Sequence, residues 1–466
     1  MSVATGTQTG RQPYRRPIAI DLFAGIGGFS LGFEQAGFDI AVAVEYDPIH
    51  AAVHAYNAPL TKVVCADLSA IQSEQIAEAA ASNWHTADAM TTPLEIDVIF
   101  GGPPCQGFST MGKRLIDDKR NQLVFHFFRV IRELRPKYFV MENVPGMNAG
   151  GHAGILQQLI AEFQAEGYNV VLPRILNAAQ FGVPQDRKRL FLLGARADQA
   201  LPCYPVASVV PVPKRAHTEG ENVTTSLWSD GLLLGPTVWD AIGDLPNLDD
   251  FDVLRTSDEL LLRSELVAHA EASASKYART LRDLEADHDD YAYPRRWDHM
   301  LLTNSLRTAH TPLSIERFSH TAPGETEPIS RFYRLDAQGL SNTLRAGTGS
   351  ERGAYTSPRP IHPFLPRVIS VREAARLHSF PDWFRLHNTK WHGFRQIGNA
   401  VPPLLGRAVA AEIRKALGVW PVKPSHAISL GATALLYVDM EDATRLFGVS
   451  KHAIPQPRRR AVRKEA

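Results

Sequence analysis

From Pro17 to Arg196, short apolar runs alternate with stretches of helical periodicity, and this alternation constrains the fold more than any other feature of the chain. "PIAIDLFAG", "DIAVAVEYD", "TKVVCADL", "IDVIFGG", "KYFVMENV", "YNVVLPRIL" and "RLFLLGAR" read as strands. "FSLGFEQAG", "PIHAAVHAYN", "NQLVFHFFRVIREL" and "GILQQLIAEFQAEG" read as helices between several of them. The order predicts an α/β fold with a doubly wound, mostly parallel sheet and right-handed crossovers. Such a sheet has its ligand crevice at the carboxyl ends of the strands.

Most of the chemically interesting residues fall at those ends. In "DLFAGIGGFSLGF", Gly25, Gly27 and Gly28 sit between the first strand and its helix, where glycine lets backbone approach a ligand closely. The dinucleotide fingerprint is excluded, because its third glycine would fall at Ser30. Glu45 closes the second strand, where a carboxylate can take ribose hydroxyls, and Asp67 closes the third, where a side chain can meet an adenine edge. Either acid alone reads more readily as a solvated strand end. Together with the glycine turn they favour a nucleoside-type cofactor without a pyrophosphate.

In "DVIFGGPPCQGFS", Pro103 and Pro104 fix the path of the chain beyond a buried strand and deliver Cys105 to the sheet edge. Most free cysteines are small core residues, but a core cysteine belongs inside the Val-Ile-Phe run rather than past its breakers. Glu142 follows "YFVM" and precedes Pro145-Gly146, so it lies at a strand end rather than capping a helix. A partly desolvated carboxyl there has a raised pKa and can serve as an acid. In "FGVPQDRKRLFLLG", period two puts Gln185, Arg187 and Arg189 on one strand face, toward an anionic or carbonyl-rich ligand; on an edge strand they would be solubilising charge.

The 466 residues allow two domains, and 44% apolar with 21% charged residues describes a globular chain. No apolar run nears the ~20 residues that span a bilayer. Cys65, Cys105 and Cys203 are odd in number and far apart, which argues against a disulfide framework or a zinc site and for a reducing cytoplasm. A net charge of +1 means that any nucleic-acid surface must be local.

With "PPCQGFS", "ENVPG" and "QDRKR" in order behind "DLFAGIGGFSLGF", and "VREAARLHSFPDWF" and "GFRQIGNAVPPLLG" near the C-terminus, the chain resembles the DNA (cytosine-5)-methyltransferases of prokaryotic restriction-modification systems. The resemblance implies a Rossmann-like fold dependent on S-adenosylmethionine, with S-adenosylhomocysteine as product and no metal. It implies Cys105 as the nucleophile at cytosine C6, Glu142 at N3, and Arg189 at O2 with Arg187 in support. It implies a cofactor site of Phe23, Gly25, Gly27, Gly28, Glu45, Asp67 and Pro103, completed by Asn399 and Val401. Ser109, Lys113 and Arg114 match a loop that closes on flipped DNA and touches phosphates. The expected partner is double-stranded DNA, with a companion restriction endonuclease related by function rather than contact. A cytoplasmic, nucleoid-associated monomer is expected. A tRNA cytosine-5 methyltransferase and a non-catalytic DNA-binding regulator are the rival readings. The long middle region speaks against the first, and intact Cys105, Glu142, Arg187 and Arg189 against the second.

The expected organisation is a disordered, mildly basic lead-in over 1–16, a catalytic and cofactor-binding domain over 17–197, a target-recognition domain over 198–366, a return segment completing the catalytic domain over 367–420, and an appendage with a basic tail over 421–466. The first part of the middle region is acidic and unsuited to face DNA. Its later part is basic and rich in Gly and Ser, with Arg331, Arg334, Arg345 and Arg352 as candidate base or phosphate contacts, a structural arginine being the equal alternative at each. "MEDATRLFGVSKHAI" has the outline of a helix-turn-helix, but Pro455 limits the second helix to about one turn, which favours a packing appendage.

Overall fold

The computed structural model describes residues 16–83, 94–104, 122–149, 152–215, 231–347 and 359–450. Its centre is an eight-stranded sheet. The strands are β1 (Ile18–Leu22), β2 (Asp39–Glu45), β3 (Lys62–Cys65), β4 (Val98–Gly101), β5 (Tyr138–Asn143), β6 (Tyr168–Val170), β7 (Arg174–Asn177) and β8 (Lys188–Arg196). They run in the order β3-β2-β1-β4-β5-β8-β6, with β7 also paired to β8. β1 to β5 are mutually parallel. Every residue of β1, β2 and β4 is buried, as expected of strands covered on both faces.

β8 runs antiparallel to β5, with Glu142 opposite Phe191 and Asn143 opposite Leu190. This reversal brings the beginning of β8, not its end, to the carboxyl edge of the parallel strands. "YNVVLPRIL", read as one strand, is two, both paired to β8 and separated by Pro173, which cannot donate to a ladder.

The sheet is covered by α1 (Gly28–Gln35), α2 (Pro48–Asn57), α3 (Ser73–Asn83), α4 (Gln122–Leu134) and α5 (His152–Ala165). The sequence reading lacks α3, because "SEQIAEAAASN" buries little beyond Ser73, Ile76 and Ala80 and carries a thin apolar stripe. Farther along lie α6 (Val238–Ile242), α7 (Ser264–Ser273), α8 (Lys276–Leu281), α9 (Pro312–His320), α10 (Val371–Leu377), α11 (Lys390–Asn399), α12 (Pro403–Ala416) and α13 (Met440–Phe447). α12 returns to pack on α1, and Leu405, Val409 and Ile413 share a core with Phe29, Phe33 and Phe100. A Cβ on Gly32 would lie 2.7 Å from the Pro403 carbonyl, so glycine sets how closely the two helices approach.

Another core joins all parts of the chain. Ile26, Leu31 and Val53 meet Val238, Ile242 and Leu344 of the middle region and Leu377, Phe380 and Ile397 beyond it. The acidic part of the middle region also turns inward. Asp244 pairs with Arg376 at 2.6 Å and Arg282 at 2.9 Å, and Asp287 is bonded to Arg407. Arg16, at the end of the expected lead-in, donates to Asp39 and to the Tyr291 carbonyl. α13 packs against α2 with Ala443 and Thr444 buried, and Gly448 ends it in the left-handed region at φ 65°. The described part of the tail is therefore a packing element; the second helix of the motif lies outside the described residues.

Among the described residues no helix is long and apolar enough to cross a membrane. The Arg376 guanidinium is fully buried between Asp244 and Asp382. Burial alone would raise the Asp382 carboxyl, but Arg376, with Arg372 and Arg282 behind it, holds it at about 2. Asp382→Asn is expected to lower stability by about 3 kcal/mol at neutral pH, because it takes one partner from a buried charge. A depressed folded pKa gives stability above the ordinary value near 3.8 that is lost as pH falls toward 2. The wild-type advantage in urea unfolding should therefore shrink across that window; a constant difference would contradict the pairing.

Candidate active site

The carboxyl edge of the sheet divides at β1, where the strand order reverses. On one side β1, β2 and β3 end in the glycine turn, Glu45 and the Asp67 loop. Phe23 leaves β1 at φ 61°, a left-handed conformation that costs a side-chain-bearing residue roughly 1–2 kcal/mol. Gly25 and Gly27 follow at φ 56° and 91°. The Glu45 carboxylate accepts from Gly25 N at 2.7 Å and from Asp47 N at 2.8 Å, so it tethers the turn to β2. Burial raises its pKa against the pull of His50. Gly27 leaves room for His54, whose Nε2 would be 2.9 Å from a Cβ there, and Gly28 for the Val401 carbonyl, 2.6 Å from its own.

These residues fit a nucleoside-type cofactor. A Cβ on Gly25 would meet nothing within 4 Å, so the turn is open on that side. Each Glu45 oxygen accepts one bond and retains capacity for a hydroxyl. Asp67 is exposed, its Oδ1 taking Ser69 N at 2.8 Å. Pro103 and Val401 are buried, and Asn399 is exposed at the end of α11.

On the other side β4, β5 and the start of β8 converge. Arg189 Nε lies 2.9 Å from Glu142 Oε1, an ion pair that exists because β8 runs against β5. Burial raises the Glu142 pKa, while Arg189 and Arg187 pull it back. Gly102 passes over this carboxylate, since a Cβ there would sit 2.9 Å from Oε2. Asn143 Nδ2 donates to the Pro103 carbonyl at 3.1 Å and so ties β5 to the chain leading into Cys105. The sequence reading missed Asn143, although its place directly after Glu142 was the available signal.

The expectation that Gln185, Arg187 and Arg189 share a strand face is corrected, because β8 begins at Lys188. Gln185 and Arg187 precede it and are fully buried. Arg187 donates to the carbonyls of Leu344, Gly398 and Ala400, each at 2.9 Å, so it holds backbone rather than facing a ligand. Cys105, Ser109, Lys113, Arg114 and Arg352 lie outside the described residues. Arg331 and Arg345 are exposed. The expectation that Arg334 reads DNA is overturned: it is buried, with its guanidinium on the carbonyls of Phe318, Thr321 and Pro363. Among the described residues no group of three or more His, Cys, Asp or Glu side chains is arranged to hold a metal.

A glycine cradle and a charged pair side by side along one sheet edge suit an enzyme that moves a group between two bound molecules. Residues 18–415 match the family model described as C-5 cytosine-specific DNA methylase, and the chain belongs to that family. It is 49% identical over 458 residues to the Type II methyltransferase M.XorII of Xanthomonas oryzae pv. oryzae, covering 96% of this chain and 98% of that one. It is 33% identical over 444 residues to the Type II methyltransferase M.AgeI of Thalassovita gelatinovora, covering 85% and 99%. A solved E. coli structure, assigned as a prophage-encoded DNA modification methyltransferase, aligns with a TM-score of 0.63 at 31% identity over 86% of this chain and 99% of that one. The protein is thus a DNA (cytosine-5)-methyltransferase of the prokaryotic restriction-modification type.

Gly28→Ala should push the Val401 carbonyl away from the turn. S-adenosylhomocysteine affinity measured by calorimetry is expected to fall about tenfold or more, with overpacking costing ~1–3 kcal/mol of stability. Wild-type affinity would show that the turn does not depend on this contact.

Proposed function

We propose that the enzyme transfers the methyl group of S-adenosylmethionine to C5 of a cytosine flipped out of a specific duplex DNA sequence, through a covalent bond between Cys105 and C6. The observation that carries this reading is the Glu142–Arg189 pair beneath Gly102, three residues before Cys105. At 3.8 Å per residue the chain keeps Cys105 within about 11 Å of Gly102. That tether supports reading Glu142 and Cys105 as members of one site.

Cytosine C5 is a weak nucleophile. Addition of the Cys105 thiolate to C6 pushes the ring electrons toward C5, and the developing negative charge needs a proton or a donor at N3. Glu142, with its pKa raised by burial, keeps its proton to higher pH than an exposed glutamate and supplies it there. Arg189 gives one donor to Glu142 and one to the Lys188 carbonyl, and its remaining N–H groups serve the O2 carbonyl of the base. The glycine turn and Glu45 would hold S-adenosylmethionine, whose sulfonium would supply an electrophilic methyl for C5 and leave as S-adenosylhomocysteine. Loss of the C5 proton to a base then lets the C6–S bond break and returns the thiolate. A cytosine stacked in a duplex cannot enter a site at a sheet edge, so the base must leave the helix. Kinship with Type II methyltransferases supports a protective role alongside a restriction endonuclease.

Duplexes carrying 5-fluorocytosine at the target are expected to trap the protein covalently, since fluorine is not lost from C5 as a proton is. Cys105→Ala should abolish trapping and methyl transfer while retaining S-adenosylhomocysteine binding. Cys65 is a poor alternative, its thiol pushed up to about 12 by burial and by Glu45 and Asp47. Adducts on Cys65 or Cys203 would contradict the assignment.

Glu142→Gln should slow single-turnover transfer by ~10²-fold or more. It should also remove the fall in rate that the wild type shows as pH rises through the Glu142 pKa. An unchanged rate and profile would show that Glu142 is structural.

A further inference from the structure

The base side and the cofactor side of this site are built on different stretches of chain. Glu142 and Arg189 stand on β5 and β8, whereas Gly28 of the cofactor turn rests against the carbonyl of Val401. Methyl transfer demands that the two be registered to within a fraction of an ångström, so something must join them. The sheet joins them through β1, β4 and β5, and the carbonyl of Ala400, one residue before Val401, makes a second joint. It accepts from Arg187 Nη2 at 2.9 Å and from His378 Nε2 at 2.9 Å. His378 Nδ1 lies 3.0 Å from Gln185 Nε2, and Gln185 Oε1 takes the backbone N–H of Leu344 at 3.1 Å.

The partners fix the protonation state of this imidazole. Because Leu344 N donates to the Gln185 oxygen, the amide nitrogen must face His378, and Nδ1 accepts from it. A carbonyl only accepts, so Nε2 carries the proton. One neutral tautomer satisfies both bonds. An imidazolium would set Nδ1–H against the N–H of Gln185, in a spot that already holds Arg187 and Arg189. Burial, then these guanidinium charges, keep the His378 pKa well below its ordinary value.

We infer that His378 is a positioning residue for methyl transfer: its neutral ring clamps the Ala400 carbonyl to Gln185 and so holds the Arg187–Arg189 segment in register with the cofactor turn. This rests on the reading of the site given above. The same clamp reaches the target-recognition region. Leu344 is bonded through both its N–H and its carbonyl, to Gln185 and Arg187, and a Cβ on Gly398 would lie 2.2 Å from the backbone nitrogen of Ala346. His378 therefore lies where the three parts of the enzyme meet.

Two variants separate positioning from simple packing. His378→Asn keeps an acceptor for Gln185 but is too short to reach Ala400; His378→Gln reaches Ala400 with an N–H. Thermal melting, S-adenosylhomocysteine affinity and single-turnover transfer at saturating DNA and cofactor are measured for each, beside Arg189→Ala. The asparagine variant is expected to melt within a few degrees of wild type, bind cofactor within about twofold, and transfer methyl ~tenfold or more slowly, because small misplacement of reacting groups costs rate. The glutamine variant is expected to recover to within about threefold of wild type. Wild-type rates in His378→Asn, or losses in both variants that only track the unfolded fraction, would overturn the assignment. If the wild type transfers methyl, Arg189→Ala does not, and His378→Asn is unimpaired, the positioning role alone falls. A wild type that transfers no methyl to cytosine overturns the functional reading and this inference with it.

Discussion

The architecture of the site depends on one buried guanidinium. Arg187 has no surface exposure to speak of, and its two terminal nitrogens reach carbonyls at Leu344, Gly398 and Ala400. Those carbonyls belong to segments more than 150 residues farther along the chain. A lysine could not span them, because its donors radiate from a single point whereas guanidinium presents a planar fork. The contact converts a chain that leaves the sheet near Arg196 and returns past residue 367 into one unit. It also fixes the backbone of Arg189, two residues on, whose guanidinium meets Glu142.

The second constraint is directional. In a fully parallel sheet the first residues of β8 would lie at the amino edge, far from the ends of β4 and β5. Antiparallel pairing with β5 places Arg189 beside Glu142 and leaves the rest of β8 as an apolar core strand. The switch of strand order at β1 then separates the groups proposed to hold the cofactor, at the ends of β1, β2 and β3, from those proposed to meet the base, at β4, β5 and β8. Two reactants can thus be bound side by side along one edge. Strain collects at the same place: Phe23 adopts φ 61° at the end of β1, as residues at ligand-binding turns often do.

Much of this was legible from sequence. Strand runs bounded by glycine and proline gave the sheet, and the glycines of the first turn, Glu45 and Glu142 could be placed because each follows an apolar run directly. The direction of β8 was not legible, since an all-buried strand shows the same apolar run whichever way it lies. Arg334 misled because composition cannot tell an arginine that faces a groove from one that collects carbonyls inside a loop. α3 escaped for want of apolar residues. His378 and Asn143 had no periodic signal at all; their importance arises from partners distant in sequence, Gln185 and Ala400 for one, Pro103 for the other.

The most direct test of the account is where the methyl group goes. Bisulfite sequencing of plasmid and chromosomal DNA from cells expressing this chain should show protected cytosines at every copy of one short duplex sequence and background conversion elsewhere. DNA that converts completely, with new 5-methylcytosine confined to tRNA or found nowhere, would contradict it.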